Sequence, residues 1–401
     1  MADVFDVVII GAGASGLMCA ARAGNREKKV LVLDHGPKPG QKILMSGGGR
    51  CNFTNKLIRA DHFISSNPHF CKSAISRYTS RDFITLVDTY GISHEERSHG
   101  QLFCTGSASQ ILDMLLTECR KAKVRITMNT PVKKIERLPS KANVKEVLQF
   151  RVHTESGKID TKSLVVATGG VTLPGVGATP FGYQVAEQFA IPVVLPRPGL
   201  VPFTLQPKDK TLLQPLAGIS VDAKVSCPLA VFNEKLLFTH RGLSGPVILQ
   251  ISSYWQPGQT ITIDLLPFNN LIETLKNKQV SQSKKFLKSL LYELLPKRLV
   301  DVRLANSPGD RPIGELSQDQ LRQTASAFHE WQIKPGGTEG NRTAEVTVGG
   351  VDCNHISSKT MEARTISGLF FIGEVLDVTG WLGGYNLQWA WSSGFCAGQY
   401  V

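Results

Sequence analysis

The stretch VFDVVIIGAGASGLMCAARAG, residues 4–24, decides the fold. Residues 4–10 are a short apolar run rich in β-branched side chains, the composition of a strand buried on both faces of a parallel sheet. The run stops at Gly11. GAGASG (11–16) then opens a segment of small residues and leucine that reads as a helix over 14–23, ending near Gly24. A second apolar run, Val30 to Leu33, halts on Asp34. Strand, glycine turn, helix, strand and acidic strand end is the order of a dinucleotide-binding unit. Gly11 permits the tight turn, Gly13 lets a pyrophosphate approach the backbone, and Gly16 lets helix and strand pack closely. Ala14 and Ser15 begin the helix, whose N-terminal amides and dipole suit phosphates. Asp34 can accept hydrogen bonds from ribose hydroxyls, with His35 beside it, and its charge disfavours a 2′-phosphate. The motif alone does not separate FAD from NAD.

KILMSGGGRCNFTN, residues 42–55, follows almost at once. Gly47, Gly48 and Gly49 in succession would weaken any helix or strand, so they mark backbone close to a ligand or a neighbouring chain, or a plain loop with demanding turns. Arg50 and Asn52 add a cation and an amide. Lys42 and Ser46 are phosphate or ribose contacts, or solvated loop residues. Cys51 lies inside the contact stretch, but no partner histidine is visible, and a packed, inert thiol is the expectation.

At the other end, GLFFIGEVL (368–376) is an apolar strand ending on Gly373 and Glu374. Gly380, Gly383 and Gly384 loosen the next loop, and Asn386 to Ala397 reads as a final helix. The chain thus returns to one site from both ends. That favours FAD, bound noncovalently, because FAD is long enough to need protein from both. The start of the last helix, at Asn386 and Leu387, would point at the flavin pyrimidine and stabilise negative charge on the reduced ring. The same helix can also pack Trp389 and Trp391 into the core.

Between the ends, residues 124–170 read as strands of the same domain, closed by Ala167, Thr168, Gly169 and Gly170. By analogy with FAD proteins, Val132 would meet the adenine through its backbone. GVGATP (175–180) has Pro180 at the third fingerprint position and no acidic strand end after it, so no second nucleotide domain is expected. The composition assigns 1–194 and 335–401 to an FAD-binding domain, 195–268 to an inserted β-barrel-like lobe and 269–334 to a helical lobe. The net charge is +12, and residues 271–303 hold eight Lys/Arg against three Asp/Glu. That is a solvated helical face or a nucleic-acid contact. His240 and Arg241 could present a proton donor or a cation from the inserted lobe, although a lone histidine is more often structural.

The eight cysteines form no Cys-x-x-Cys pair, which argues against a zinc ribbon or a dithiol centre, and no metal site is expected. The opening lacks a basic region ahead of an apolar one, and no apolar stretch approaches the ~20 residues of a membrane span. A cytoplasmic protein without a membrane partner is the expectation.

SGGGRCNFTN (46–55), FTHRGLSGP (238–246), TVGGV (347–351) and GEVLDVTGWLGGYNLQWAWSSG (373–394) together resemble the bacterial NAD(P)/FAD-dependent oxidoreductases of the aminoacetone oxidase type, over essentially the whole chain. The resemblance implies an α/β fold: a Rossmann-like FAD-binding domain formed by both ends, with an inserted β lobe and helical lobe. It implies FAD contacts from Gly11, Gly13, Gly16, Asp34, Lys42, Ser46 to Gly49, Gly373, Glu374, Asn386 and Leu387. Pro180-Phe181 stands where relatives carry Gly-Asp, and Phe103-Cys104 where they carry Phe-Pro; both departures fall on the substrate side. The function expected is an FAD-dependent oxidoreductase exchanging hydride between flavin N5 and a small organic substrate at the interface with the inserted lobe. Arg50, His240, Arg241 and Tyr385 would orient it or move protons, with NAD(P)H a possible external reductant. The alternatives are an FAD-dependent RNA-modifying enzyme, motivated by the charge and the basic helices, and a flavin-binding regulator without turnover.

Overall fold

A computed structural model describes residues 3–139, 148–305 and 310–401. They form two compact units, Met1–Arg197 with Val346–Val401, and Pro198–Glu345.

The first unit is built on a sheet in the order β7 (Arg125–Thr127), β2 (Val30–Leu33), β1 (Asp3–Ile10), β10 (Gly157–Val166), β9 (Phe150–Thr154), β8 (Val132–Arg137), with β20 (Leu369–Phe371) also paired to β10. β7, β2, β1, β10 and β20 are mutually parallel, and β8–β9–β10 is an antiparallel meander. Val7, Val8 and Ile9 are fully buried, which is why that run carries no polar alternation. The pairing of Leu164 with Leu369 brings both ends of the chain into one sheet.

Helix α1 (Ala14–Gly24) packs on α13 (Tyr385–Gly398) at very close range. A Cβ at Gly394 would collide with the Ser15 carbonyl oxygen, and one at Gly398 would sit 2.7 Å from Arg22 Cβ. The chain end is tied down by Arg26, whose Nη1 donates to the carbonyls of Gly398 (3.0 Å) and Val401 (3.2 Å). Trp389 and Trp391 are buried, and their indole N–H groups donate to the Gly373 and Phe53 carbonyls. Helices α2 (Gln41–Gly49), α3 (Cys71–Arg77), α4 (Ser80–Thr89), α5 (Ser109–Lys121) and α6 (Phe181–Gln188) complete this unit. So do the small sheet β3 (Asn52–Asn55), β6 (Gln101–Cys104), β5 (His94–Arg97), and the pair β4 (Phe63–Ile64) with β21 (Thr379–Gly380). β11 (Val193–Gly199) and β19 (Val346–Val351) pair where the chain leaves and re-enters.

The second unit holds a seven-stranded antiparallel sheet in the order β17 (Trp331–Ile333), β16 (Ile261–Asp264), β13 (Ser220–Cys227), β14 (Ala230–Phe238), β15 (Gly242–Ser244), β12 (Phe203–Leu205), β18 (Pro335–Thr338). Only Lys334 separates β17 from β18, the two ends of that order. One residue spans a few ångströms, so the sheet must curl until its edges meet, as in a barrel. Helices α7 (Pro207–Leu213) and α8 (Pro246–Ser252) lie among the strands, and α9 (Leu271–Ser281), α10 (Leu287–Leu291), α11 (Lys297–Arg303) and α12 (Gln318–His329) come between β16 and β17. Those helices are therefore an insertion between strands of one sheet. Residues 335–345, assigned from the sequence to the first domain, lie in the second unit because β18 pairs with β12. His329 anchors α12: its Nε2 accepts from the Leu271 amide, so Nδ1 carries the proton donated to Asp264 at 2.8 Å.

Candidate cofactor site

The glycine turn sits between β1 and α1. Gly11 has φ +114°, its amide donates to the Leu33 carbonyl at 2.8 Å, and a Cβ there would collide with the Ala167 carbonyl oxygen. A Cβ at Gly16 would collide with the Gly11 carbonyl oxygen. Gly13 is different. Its φ is −87°, open to any residue, and no atom lies within 4 Å of the Cβ position. The fold does not need a glycine there; a group approaching the α1 N-terminus would. That helix start has no side-chain cap.

Asp34 braces this turn. Its Oδ2 accepts from the Ala12 amide and its Oδ1 from the Gly36 amide, each at 2.7 Å. Each carboxylate oxygen keeps a further lone pair for a hydroxyl. His35 is exposed beside it, and the Cβ position of Gly177 lies 3.1 Å from its Nε2, so the 174–177 turn passes against that ring. Val132 is half-buried at the head of β8.

Helix α2 breaks at its end. Ser46 is extended, and Gly47 and Gly48 have φ of +59° and +65°. A Cβ at Gly47 would sit 2.7 Å from Phe103 Cε1, whereas one at Gly48 or Gly49 would meet nothing within 4 Å. Two residues of open backbone are thus presented here. The Ser46 hydroxyl donates to the Ile43 carbonyl at 2.7 Å and keeps its acceptor capacity. Cys51 is fully buried, and burial pushes its thiol up to about 12, so it is protonated and inert. Arg50 is half-exposed, 3.8 Å from Glu95. Asn52 opens β3 opposite Phe103.

The resemblance implies that Glu374 contacts FAD; its carboxylate is engaged by protein. Oε2 accepts from Lys42 Nζ at 2.7 Å, and Oε1 from the Thr347 amide at 2.9 Å and Thr172 Oγ1 at 3.3 Å. Burial opposes its charge, yet the Lys42 ammonium and the backbone donors hold the carboxyl below its usual range. Lys42, assigned to phosphate or ribose, therefore spans from α2 to the C-terminal segment. Gly169 lies against this pair, its Cβ position 3.8 Å from Glu374 Oε2 and 3.9 Å from Lys42 Nζ. Thr347 Oγ1 also accepts from the Val171 amide at 3.0 Å. Thr172 and Thr347 were not singled out from the sequence; for Thr347 the signal is a hydroxyl in an otherwise apolar, glycine-containing strand, and Thr172 lies in a bend with no such signal. Ala167 is buried and its amide continues the β1 ladder. Thr168 Oγ1 is buried with no hydrogen-bond partner among the described residues. Gly373 has φ +74°, and its Cβ position lies 2.5 Å from Ser15 Oγ, bringing the C-terminal segment onto the first turn of α1.

At the start of α13, the Asn386 side chain is engaged by the preceding loop. Its Oδ1 accepts from the Gly380 amide at 2.8 Å, and its Nδ2 donates to the carbonyls of Gly380 and Trp381. The side chain closes the glycine loop, leaving the backbone amides of the first turn, at Asn386 and Leu387, as donors; no side chain caps them. Tyr385 is buried against His62 and Phe63, with ring centroids at 5.2 and 6.2 Å. His240 and Arg241 belong to the second unit, in an exposed turn between β14 and β15 where Arg241 lies 3.4 Å from Glu339.

These features can hold an elongated diphosphate ligand. They are two uncapped helix starts, open backbone at Gly13, Gly48 and Gly49, spare acceptors on Asp34 and a buried unpaired hydroxyl at Thr168. All lie in the first unit. Among the described residues no group of His, Cys, Asp and Glu could hold a metal ion, and no helix is long and apolar enough to cross a membrane.

Known proteins with similar sequences bear on this site. A protein of Haemophilus influenzae named ribosomal RNA dihydrouridine synthase is 51% identical, covering 99% of this chain and 98% of its own. One of the same name from Escherichia coli is 50% identical over 98% of this chain and 97% of its own. Among solved structures, 3-ketosteroid Δ1-dehydrogenase of Sterolibacterium denitrificans superposes with a TM-score of 0.51 at 12% identity, covering 99% of both chains, which is a likeness of fold. Residues 5–400 match the family described as HI0933-like protein Rossmann domain, and the chain belongs to that family.

Proposed function

We propose that this protein binds FAD noncovalently in its first unit and reduces a uridine of ribosomal RNA to dihydrouridine. The observation that carries the reading is the pair of relatives, half identical over almost their whole length, whose names state that activity. The same observation corrects the small organic substrate expected from the sequence. From the aminoacetone oxidase resemblance we keep the cofactor and not the substrate.

Reduced FAD, when bound, supplies the hydride that C6 of uracil takes, its C5=C6 bond being activated by the C4 carbonyl, and a proton completes C5. The chain's own residues bind and orient. The α1 N-terminus and the backbone at Gly13 take the pyrophosphate, with Ala14, Ser15, Ser46 and the open amides of Gly48 and Gly49 nearby. Asp34 takes ribose hydroxyls with acceptors left over from bracing the turn. The first-turn amides of α13 would stabilise negative charge on a reduced flavin ring held there. Lys42 and Glu374 hold α2 to the C-terminal segment rather than touching phosphate. Arg50 and Tyr385, both in the first unit, remain our candidates for orienting the uracil or moving the proton, with NAD(P)H as the two-electron source. A substrate of this kind places the protein in the cytoplasm.

The test is direct. Purified protein should be yellow and should release FAD on denaturation. With NADH or NADPH and ribosomal RNA transcribed without modification, nucleoside mass spectrometry should find dihydrouridine. A yellow protein that is reduced and reoxidised in the presence of the RNA yet leaves every uridine unchanged would contradict the reading.

A further inference from the structure

We propose that α9, α10 and α11 of the second unit carry the surface that docks the RNA phosphate backbone. This rests on the RNA reading above and adds where the partner is held. Across residues 198–345 there are 17 Lys/Arg against 13 Asp/Glu, and residues 271–303 alone hold eight against three. The rest of the unit therefore has nine against ten, so all of its positive excess sits on these helices.

The charges form one patch. Lys278 and Lys285 both pair with Glu293, the former at 3.4 Å. Lys288 pairs with Asp301 at 3.0 Å, and Asp301 also accepts from the Tyr292 hydroxyl at 2.8 Å. Lys297 lies over the Tyr292 ring, 5.7 Å from its centroid. Two of the four ammonium groups thus gather on Glu293, and the other two about Asp301 and the neighbouring Tyr292 ring. Asp310 adds a third carboxylate, accepting from the Lys288 amide at 3.2 Å, so four cations face three anions. Solvent-accessible pairs of this kind contribute little to stability, so they are poorly explained as stabilising devices and are readily exchanged for phosphate.

Apolar groups are interleaved with the cations. Val280 is 87% exposed and Phe286 46%, lying in the chain between Lys278 and Lys288, and Phe268 just before α9 is 82% exposed. The Phe286 ring, set between Lys285 and Lys288, offers a base a stacking surface beside the phosphate-binding cations.

The test compares three proteins: wild type, the patch variant K278Q/K285Q/K288Q/K297Q, and a charge-matched control, K133Q/K134Q/K158Q/K359Q, whose lysines are exposed in the first unit. Each binds a ribosomal RNA transcript across a salt series, with flavin absorbance and thermal midpoint recorded to confirm folding. The patch variant should bind at least tenfold more weakly near 0.1 M salt. Its log–log salt slope should be shallower by about 0.7 or more for each lysine–phosphate pair removed. The control should stay within about twofold of wild type. Equal weakening of both variants, or none in the patch variant, would overturn the proposal. Dihydrouridine assays on the same proteins separate the two readings. RNA binding without dihydrouridine in wild type sinks the activity alone; dihydrouridine with unchanged binding by the patch variant sinks the docking surface alone.

Discussion

At the scale of single residues, two glycines three positions apart make opposite predictions. Gly16→Ala drives a Cβ into the Gly11 carbonyl, and backbone cannot swing aside, so a loss of about 1–3 kcal/mol and a lower thermal midpoint are expected. Gly13→Ala meets nothing within 4 Å and needs no unusual φ. Its melting temperature without cofactor should match wild type, while FAD affinity falls tenfold or more. Equal FAD affinity in Gly13→Ala would remove the pyrophosphate from that position. The fingerprint names both glycines, but only the structure separates the one the fold requires from the one a ligand requires. Glu374 and Asn386 stand out in the sequence as candidate cofactor contacts, but the partners of their side chains do not. Their polar atoms are used by Lys42, Thr347, Gly380 and Trp381, and those partnerships depend on segments far away in sequence.

Glu374 also gives a pH dependence with a definite sign. Its folded carboxyl lies below the ordinary value of 4.5, held there by Lys42 and backbone donors against burial. The ion pair's stabilisation is therefore complete above the unfolded value and is lost as pH falls through the lowered folded one. Glu374→Gln should cost about 2–3 kcal/mol at neutral pH, somewhat less than a fully buried pair because Lys42 is a third exposed. The difference from wild type should shrink on acidification below about pH 4.5. A constant difference in melting temperature from neutral pH to the acid limit of folding would show that the carboxylate is not the stabilising form.

At the scale of elements, strands were the most legible. β1 from Val7 to Ile10 and the whole of β2 are unbroken apolar runs, and their identity follows from burial on both faces. The contact between α1 and α13 was less so. It depends on Gly394 and Gly398, one helical turn apart, which read as weak helix formers until a partner backbone is seen against them. Gly394→Val should lower stability by at least 2 kcal/mol on thermal or denaturant unfolding, since the side chain would enter the Ser15 carbonyl. A neutral result would mean that the helices do not approach as described. The helical segment was read as a lobe of its own because its periodicity is local. The pairing of β16 with β17, across more than sixty intervening residues, is not local, and it makes the helices an insertion within one sheet.

At the scale of the molecule, cofactor and substrate were unequally readable. A cofactor leaves short, geometrically strict motifs, because glycines and helix starts must stand at fixed spacing. An RNA substrate leaves a diffuse signal, an excess of lysine over a helical surface, which a solvated face can imitate. The small-substrate expectation followed from weighting the strict signal alone. The most direct test of the account is a single-turnover experiment. Protein with its flavin reduced anaerobically is mixed with unmodified ribosomal RNA, and flavin absorbance and dihydrouridine are measured on the same sample. The account predicts that flavin is reoxidised with one dihydrouridine formed per flavin, the uridine gaining the two hydrogen atoms that the reduced flavin gives up. Flavin that stays reduced in the presence of the RNA, or is reoxidised while the RNA is unchanged, would contradict it.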